Sequence, residues 1–529
     1  MKRILFIIAA ALAAAPALFP QSIDPGEPDI VLPQIIMDVE DVSVENVEAK
    51  LPPEEELLPP VRPLPELRAA DIPVAEPEVS TAAPSDTSSP AAAQSLSVEA
   101  VLGAGMENTI EGTLGVKTLG LDPRLSLLFS HQTLDGLSGN VAGSGFDMRN
   151  DNLSGEAAFG LGPVQTDIQG SYKEDQRGLQ GQGTLSYMGL LTRGIDGTAG
   201  FSLSPIQWLA LESKLSASTD SFTLMSSAPL TMSEYRFSPE LSAKASVQWF
   251  SAGLSGSYDY RRADFDGAGV QEIHRVRTTL TLGAELPLST LLEGSAAWFW
   301  NSAGESLFPF ELRLSGTPFT FLSFSLGGGY AVTPYDMQDA VAASPWILPQ
   351  PLSDNSGWFA DGSLKFVIAK DLTLSGKTAF RTSTAMLDAS LDPETGLYLI
   401  TQRPATQLSV GAGLSWAAAP GITVSASWSS ELLDRPSFLP STKIEAEGIA
   451  VAPSGAFGGD FSVSMMVGTT PTVQLPVVSI GGFIRVAGAV QLHLDVEDLL
   501  QPAMNGPRYG LYPFVDPGFR VIAQARLTL

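Results

Sequence analysis

Residues 491–499, QLHLDVEDL, set His493, Asp495 and Glu497 at every second position, with Leu492, Leu494 and Val496 between them. Period two places the imidazole and the two carboxylates on one face of a strand. A polar row of that kind can step a cation or a proton along a pore wall, or serve as ordinary polar lining. The other histidines, His131 and His274, are far away in sequence, and there is no cysteine. Metal ligation by His/Cys clusters and thiol chemistry therefore have no candidates, and no HExxH motif occurs. The GAG and GSG glycine pairs lack the strand-to-helix setting that cradles phosphate. Residues 146–152, FDMRNDN, offer Asp147 and Asp151 to calcium without EF-hand spacing and read as a solvated loop. No cofactor and no enzymatic chemistry are expected, because a Ser-His-acid site would need scattered histidines to converge.

The elements that carry these residues are strands. LTLGAELP sets Leu280, Leu282, Ala284 and Leu286 against Thr281, Gly283 and Glu285. LTLSGKTAFR sets Leu372, Leu374 and Phe380 against Thr373, Ser375, Lys377 and Arg381, and QLSVGAGLSW and ITVSASWS repeat the pattern around Trp416 and Trp428. The chain ends the same way: Phe519, Val521, Ala523, Ala525, Leu527 and Leu529 form an apolar row, with Arg520, Gln524, Arg526 and Thr528 opposite and Ile522 the one intruder. Such strands have one greasy and one wet face. Lipid suits the greasy face better than a soluble core does, for two reasons. The polar rows are Ser, Thr and Gly with scattered charges, as in a wide barrel interior, and Trp298, Trp300, Trp416 and Trp428 resemble an interfacial aromatic girdle. Lys377, Arg381, His493, Asp495 and Glu497 are then lumen-lining candidates.

Composition agrees. Only 16% of the 529 residues are charged, fewer than in ordinary soluble domains, and the net charge of -27 disfavours nucleic acid as a partner. Residues 1–22 read as a secretory signal peptide: Lys2 and Arg3, an apolar run from Ile4, then small residues. Pro16 interrupts the run, and no later stretch is long enough to cross a membrane as a helix. Residues 23–95 are rich in Pro, Glu and Ala, with acids far outnumbering bases. They read as a disordered periplasmic arm, with the part from Ile30 to Leu51 able to add as a strand to a partner's sheet. From Leu96 onward, tight breaks recur at Asp122-Pro123, Gly162-Pro163, Ser204-Pro205, Ser251-Ala252, Leu288-Ser289, Thr317-Pro318, Lys370-Asp371, Pro420-Gly421, Ser454-Gly455 and Ala487-Gly488. Longer Gly/Asn/Asp-rich connections lie between them, near 135–152, 335–355 and 386–404. Short turns at one end and long loops at the other predict an all-β fold, a transmembrane antiparallel up-and-down β-barrel over 96–529, of about 22 strands with 20–24 allowed. Closure would pair the last strand with the first near Ser97–Gly105.

The stretch LPVVSIGGFIRVAGAVQLHLDVEDLLQP, 475–502, followed by PGFRVIAQARLTL, resembles the last three strands of TonB-dependent outer-membrane receptors. Leu492, Leu494, Val496, Glu497, Asp498, Leu499 and Leu500 fill the penultimate-strand pattern, and Pro517-Gly518 precede the closing strand. Asp498 stands where the family has Asn, the chain ends on Leu529 rather than an aromatic, and residues 23–95 are too short and proline-rich to be the family's plug. The resemblance implies the barrel, not ligand-gated active uptake. Asp29, Ile30, Val31 and Leu32 loosely resemble the family's energy-coupling box and mark the arm as the partner-binding segment. The expected function is an outer-membrane channel or transporter, porin-like and without a plug, passing small solutes; a surface scaffold or adhesin displaying ligand-binding loops is the alternative. The expected partners are outer-membrane lipid, the outer-membrane barrel assembly machinery and a periplasmic protein that meets the arm.

Overall fold

The computed structural model describes residues 96–529 apart from 119, 121, 183–187, 227–228, 267–268, 435–440, 468–473 and 505. Residues 1–95, and with them the arm and Asp29, Ile30, Val31 and Leu32, lie outside the described residues. The wall is built from β1 (Leu96–Gly105), β2 (Ile110–Thr118), β3 (Arg124–Asp135), β4 (Asp147–Leu161), β5 (Val164–Gly178), β6 (Gly189–Ile206), β7 (Leu209–Met225), β8 (Leu230–Val247), β9 (Phe250–Phe265), β10 (Gly269–Leu286) and β11 (Thr290–Asn301). It continues through β12 (Phe310–Phe319), β13 (Leu322–Thr333), β14 (Asn355–Ala369), β15 (Leu372–Leu391), β16 (Tyr398–Ala419), β17 (Ile422–Leu433), β18 (Thr442–Val451), β19 (Phe457–Val467), β20 (Val477–Ala487), β21 (Val490–Glu497) and β22 (Arg520–Thr528). Each strand pairs antiparallel with its neighbours, and β22 returns to β1 in a ladder from Glu99↔Thr528 to Gly105↔Ile522, closing a barrel of 22 strands. Closure leaves the wall no unpaired edge, which lipid demands. Two-residue pairings at Ser306–Leu307 and Ile347–Leu348 raise the hydrogen-bonded segments to 24, and Tyr509–Leu511 with Phe514–Val515 form a small separate hairpin.

Short turns sit at one rim, here the turn rim, and the long connections at the other, the loop rim. Three expected turns move by a few residues. Ser204-Pro205, Ser251-Ala252 and Thr317-Pro318 lie within β6, β9 and β12, and the chain reverses instead at Gln207-Trp208, Gln248-Trp249 and Thr320-Phe321. Pro205 and Pro318 fall in irregularities where the register shifts, between Leu203 and Ile206 and between Gly316 and Phe319. A residue without N–H breaks no ladder bond there, so proline does not force a turn. The stretch 146–152 is not a loop either. Asp147 to Asn152 open β4, paired with β3 and β5, and 386–404 is mostly β15 and β16, leaving a connection of 392–397 only. Asp147 to Asn152 are almost wholly polar on both faces, which erases the alternation that identifies a strand.

The inner row of each strand follows from its contacts. Arg236 on β8, Arg261 on β9 and Arg275 on β10 reach the inserted segment 334–354, so their row faces the lumen. The opposite row carries Phe237, Leu241, Leu254, Leu280 and Leu282, large apolar side chains left exposed, as a lipid-facing wall requires. On β22 the even row is inward: Arg520 meets Glu497, Gln524 meets Glu111 and Arg526 meets Glu99. Ile522, the apolar intruder in that row, is buried, while Ala523, Ala525 and Leu527 stay exposed.

Candidate functional site

At the loop rim the lumen is not open water. The inner rows of β6 to β9 end in Leu190, Phe222, Leu224, Met232, Ala263 and Phe265. Against them pack Met337, Ala340, Trp346, Ile347, Leu348 and Leu352 from the β13–β14 connection, Leu397, Tyr398 and Ile400 from the start of β16, and Leu511 and Phe514 from the hairpin before β22. These residues form one continuous buried cluster, a cap assembled from three connections that converge from separate parts of the rim. Each fully buried Leu or Phe contributes about 1.5–3 kcal/mol, so the cap is a small hydrophobic core within the mouth. The centre of the stack is Trp346 on Phe514, ring centroids 3.9 Å apart and 3° from parallel, with the Arg177 guanidinium 5.6 Å from the Trp346 ring centroid.

The cap contains one helix, α1 (Met337–Ala343). Its start is written in the sequence as Asp336-x-x-Asp339. The Asp336 side chain accepts from the Asp339 N–H at 2.8 Å, and the Asp339 side chain accepts from the Asp336 N–H at 3.0 Å. This reciprocal box satisfies donors that a buried helix start would otherwise orphan. Burial, and then the neighbouring Asp336 carboxylate, push the Asp339 carboxyl up to about 6.

Three inward arginines on adjacent strands clamp both ends of the segment. Arg236 bridges Asp259 at 2.6 Å and Asp336 at 2.7 Å. Arg261, only 1% exposed, donates to Glu234 at 2.7 Å and to the carbonyls of Tyr335 and Leu352 at 3.0 and 3.4 Å. Arg275 pairs with Asp354 at 2.6 Å and Asp259 at 2.7 Å, and Asn301 donates to Asp354 at 3.0 Å. Buried ion pairs are weak evidence of net stability; here they set which point of the connection meets which strand. The hairpin before β22 is held separately. The Gln180 side chain donates to the Val515 carbonyl at 2.9 Å and accepts from its N–H at 2.6 Å, and Ser138 donates to the Asp516 carbonyl at 2.9 Å. Arg508 pairs with Asp498, and the Tyr398 hydroxyl donates to the Tyr512 carbonyl. Burial raises the Asp516 carboxyl, with Arg177 and Arg508 opposing.

Below the cap the lumen wall changes character. His493, Asp495 and Glu497 share the inner row of β21. Glu497 pairs with Arg520, and the His493 ring stacks 5.3 Å from Phe483 with its Nε2 unpartnered. Asp495 lies across Gly481 from Asp460. A Cβ at Gly481 would come within 2.6 Å of an oxygen of each carboxylate, so only glycine lets the two acids approach there. Lys377 lies on the inner row of β15 opposite Gly411 and makes no ion pair among the described residues. Arg381 has a different setting. It donates to Thr333 at 2.8 Å and interacts with the Tyr335 hydroxyl, which places it at the base of the cap rather than free in the lumen. Trp298, Trp300, Trp416 and Trp428 are exposed on the outward rows, Trp298 donating to Ser306 at 3.1 Å. The carboxylate of Asp151, which the sequence offered to calcium together with Asp147, meets His131 and, at 2.7 Å, Arg149. No group of His, Asp and Glu suited to a metal ion occurs among the described residues.

Sequence reasoning missed the cap. Its signals were present: the acidic box at Asp336 and Asp339, and the apolar run Trp346-Ile347-Leu348 inside a long connection, where solvated loops carry polar residues.

No protein-family model matches this chain, and no curated protein matches it. Solved structures do. The copper transporter OprC is 12% identical with a TM-score of 0.64, over 82% of this chain and 80% of that one. The ferric enterobactin receptor PfeA from Pseudomonas aeruginosa, in a mutant form, is 10% identical with a TM-score of 0.62, over 82% and 81%. The siderophore receptor PirA from the same organism is 11% identical with a TM-score of 0.59, over 82% and 81%. The shared feature is the fold, the 22-strand outer-membrane barrel of TonB-dependent receptors, here beginning at residue 96. These neighbours are a transporter and receptors.

Proposed function

We propose that this chain is an outer-membrane transport barrel that passes small solutes through its polar lumen, with the loop-side cap as its gate and residues 23–95 as an arm meeting a periplasmic partner through Asp29, Ile30, Val31 and Leu32. In this reading residues 1–22 are the cleaved signal peptide, and 96–529 is the part handled by the barrel assembly machinery and inserted in lipid, with no plug behind it. The carrying observation is the contrast within one lumen: a buried apolar cluster at the loop rim, and below it a wall with Lys377, Asp460 and Asp495 outside any ion pair among the described residues. Charged rows exposed to water suit ion and solute passage. The transporters and receptors of like fold support transport in general terms.

The test is single-channel conductance in planar bilayers for three proteins: the full chain, the chain without 23–95, and the full chain with 337–350 replaced by a Gly/Ser linker. The full chain should conduct rarely and briefly, loss of the arm should leave the open-state conductance unchanged, and loss of the cap segment should give a steadily open pore. Silence from all three, with the barrel folded, would reject the channel. The cap itself favours one second reading, a surface scaffold whose converged loops hold an extracellular ligand. That reading predicts ligand binding by the full chain that disappears with the cap segment, and no conductance in either.

A further inference from the structure

The turn rim is uneven. Four consecutive hairpin tips, between β6 and β7, β8 and β9, β10 and β11, and β12 and β13, each expose one large apolar side chain: Trp208 at 51%, Trp249 at 60%, Leu288 at 68% and Phe321 at 44%. The described tip residues on the rest of the rim are Pro, Gly, Ser, Ala, Lys and Asp: Gly162-Pro163, Lys370-Asp371, Pro420-Gly421, Ser454-Gly455 and Gly488-Ala489. Apolar tips are not scattered. Among the described tip residues they occupy a single arc, β6 to β13; on the arc from β14 round to β5 the described tips are polar or small, Gly120, Asp122 and Pro123 of the β2–β3 turn included, while Leu119 and Leu121 of that turn lie outside the described residues.

At two of the four tips the apolar arc runs on into the lipid-facing wall. Phe321 stacks on Phe319 of β12 at 5.3 Å and 4° and meets Phe366 of β14 edge-on at 5.4 Å, while Trp249 lies edge-on to Phe250 of β9 at 6.0 Å. We infer that this barrel sits obliquely in its membrane, with the β6–β13 turns seated in the head-group layer of a phospholipid leaflet and the β14–β5 turns standing in water. Tryptophan and other amphipathic rings favour that layer. Tips two strands apart are separated by about 10 Å along the rim, so the four make a narrow curved line. A membrane plane cutting a cylinder touches it along such a line, whereas a protein partner needs a compact patch. Continuity with the apolar wall selects lipid as the occupant.

The chain has no cysteine, so single cysteines for spin labelling need no other change. Gln207→Cys and Thr320→Cys report on the apolar arc; Asp371→Cys and Ser454→Cys report on the other. Each full-length variant is refolded into phosphatidylcholine/phosphatidylglycerol bilayers, and nitroxide relaxation by oxygen, which partitions into lipid, is compared with relaxation by a water-soluble nickel chelate. The inference expects an oxygen-to-nickel ratio several-fold higher at 207 and 320 than at 371 and 454. Trp208→Ser with Trp249→Ser should shrink the difference while the barrel stays heat-modifiable. Equal ratios at all four sites overturn the inference. So do nickel-accessible labels at 207 and 320 in bilayers that become shielded only in native envelopes, since a protein would then be the occupant.

Discussion

The mouth and the waist of this barrel share strands but have opposite interiors. On β7 the inner row reads Ser216, Ser218, Asp220, then Phe222 and Leu224; on β6 it reads Thr198, Asp196, Gly194, Thr192, then Leu190. Along each row the residues turn from polar to apolar at the depth where the cap begins. Charges follow the same division. At the mouth, Arg236, Arg261 and Arg275 are engaged by Glu234, Asp259, Asp336 and Asp354, whereas at the waist Asp460 and Asp495 face each other over a glycine. One alternating wall thus serves two media, and the inner row alone records which one it meets. The mouth is packed like a protein core and should fail like one; the waist is wetted and should tolerate change on its inner row.

The largest expected effect lies in the core of the mouth. Phe514 is fully buried against Trp346. Phe514→Ala should cost the cap about 3–5 kcal/mol, enough to release 334–354 and 509–515 while the barrel persists. Hydrogen exchange would read it: amides of both segments should lose protection together, and those of β6–β10 should keep theirs. Unchanged protection would mean the cap does not depend on this stack. Loss of protection through the wall would mean that mouth and wall unfold as one unit.

The fold was legible in the sequence to the level of strand number and closing pair, because lipid outside and water inside impose a strict period of two on strands such as β15 to β22. Asp147 to Asn152 were misread because they are almost wholly polar on both faces, and no period survives. Pro205 and Pro318 misled for a related reason, since a bulge satisfies proline as well as a turn does. The inward placement of His493, Asp495, Glu497 and Lys377 follows from alternation. The attachment of Arg381 to Thr333 and Tyr335 does not, because it depends on a connection returning into the mouth. The cap was illegible as a whole: two of its three parts, 334–354 and 509–515, are far apart in sequence, and only closure of the barrel brings Trp346 to Phe514.

A smaller effect separates the two faces of the waist. Val424 lies on the outward row of β17 and Ser425 on the inward row, where its hydroxyl donates to Glu447 at 2.7 Å. Arginine facing lipid costs about 2–4 kcal/mol at mid-depth and less towards the interface, and Val424 pairs with the girdle residue Trp416 close to the turn, so Val424→Arg should lower the midpoint of urea unfolding in bilayers by a fraction of that range, and Ser425→Arg, beside Glu447, by less. Equal losses would show that the wetted interior is no more tolerant than the lipid face, and the contrast between mouth and waist would lose one side.

The smallest expected effect is a pH dependence confined to the mouth. Closing the cap raises the Asp339 carboxyl from 3.8 to about 6, by burial first and by Asp336 second, with Arg236 opposing. Asp516, in the facing hairpin, is raised in the same sense. A group whose closed-state value is raised binds its proton more tightly when the cap is shut. Its stabilisation is therefore fully present below the open-state value near 3.8 and is lost as pH climbs through about 6. The change is on the order of 1–2 kcal/mol for Asp339, given its partial contact with solvent. The charges that share this pocket include Asp220 and Glu234 on the wall and Arg261 behind them; Asp336 and Arg236 touch the helix start directly. Between about pH 4 and 6 the cap should loosen with rising pH, read as faster protease cutting within 334–354 after correction for the protease's own profile, and change little above that window. Asp339→Asn keeps an oxygen for the Asp336 N–H and removes the titration, so it should flatten most of the slope, and Asp516→Asn should remove the remainder. A cap that instead tightens as pH rises would mean that Asp339 is ionised when closed and held by Arg236, and that the mouth is held by charge pairing rather than by its apolar core.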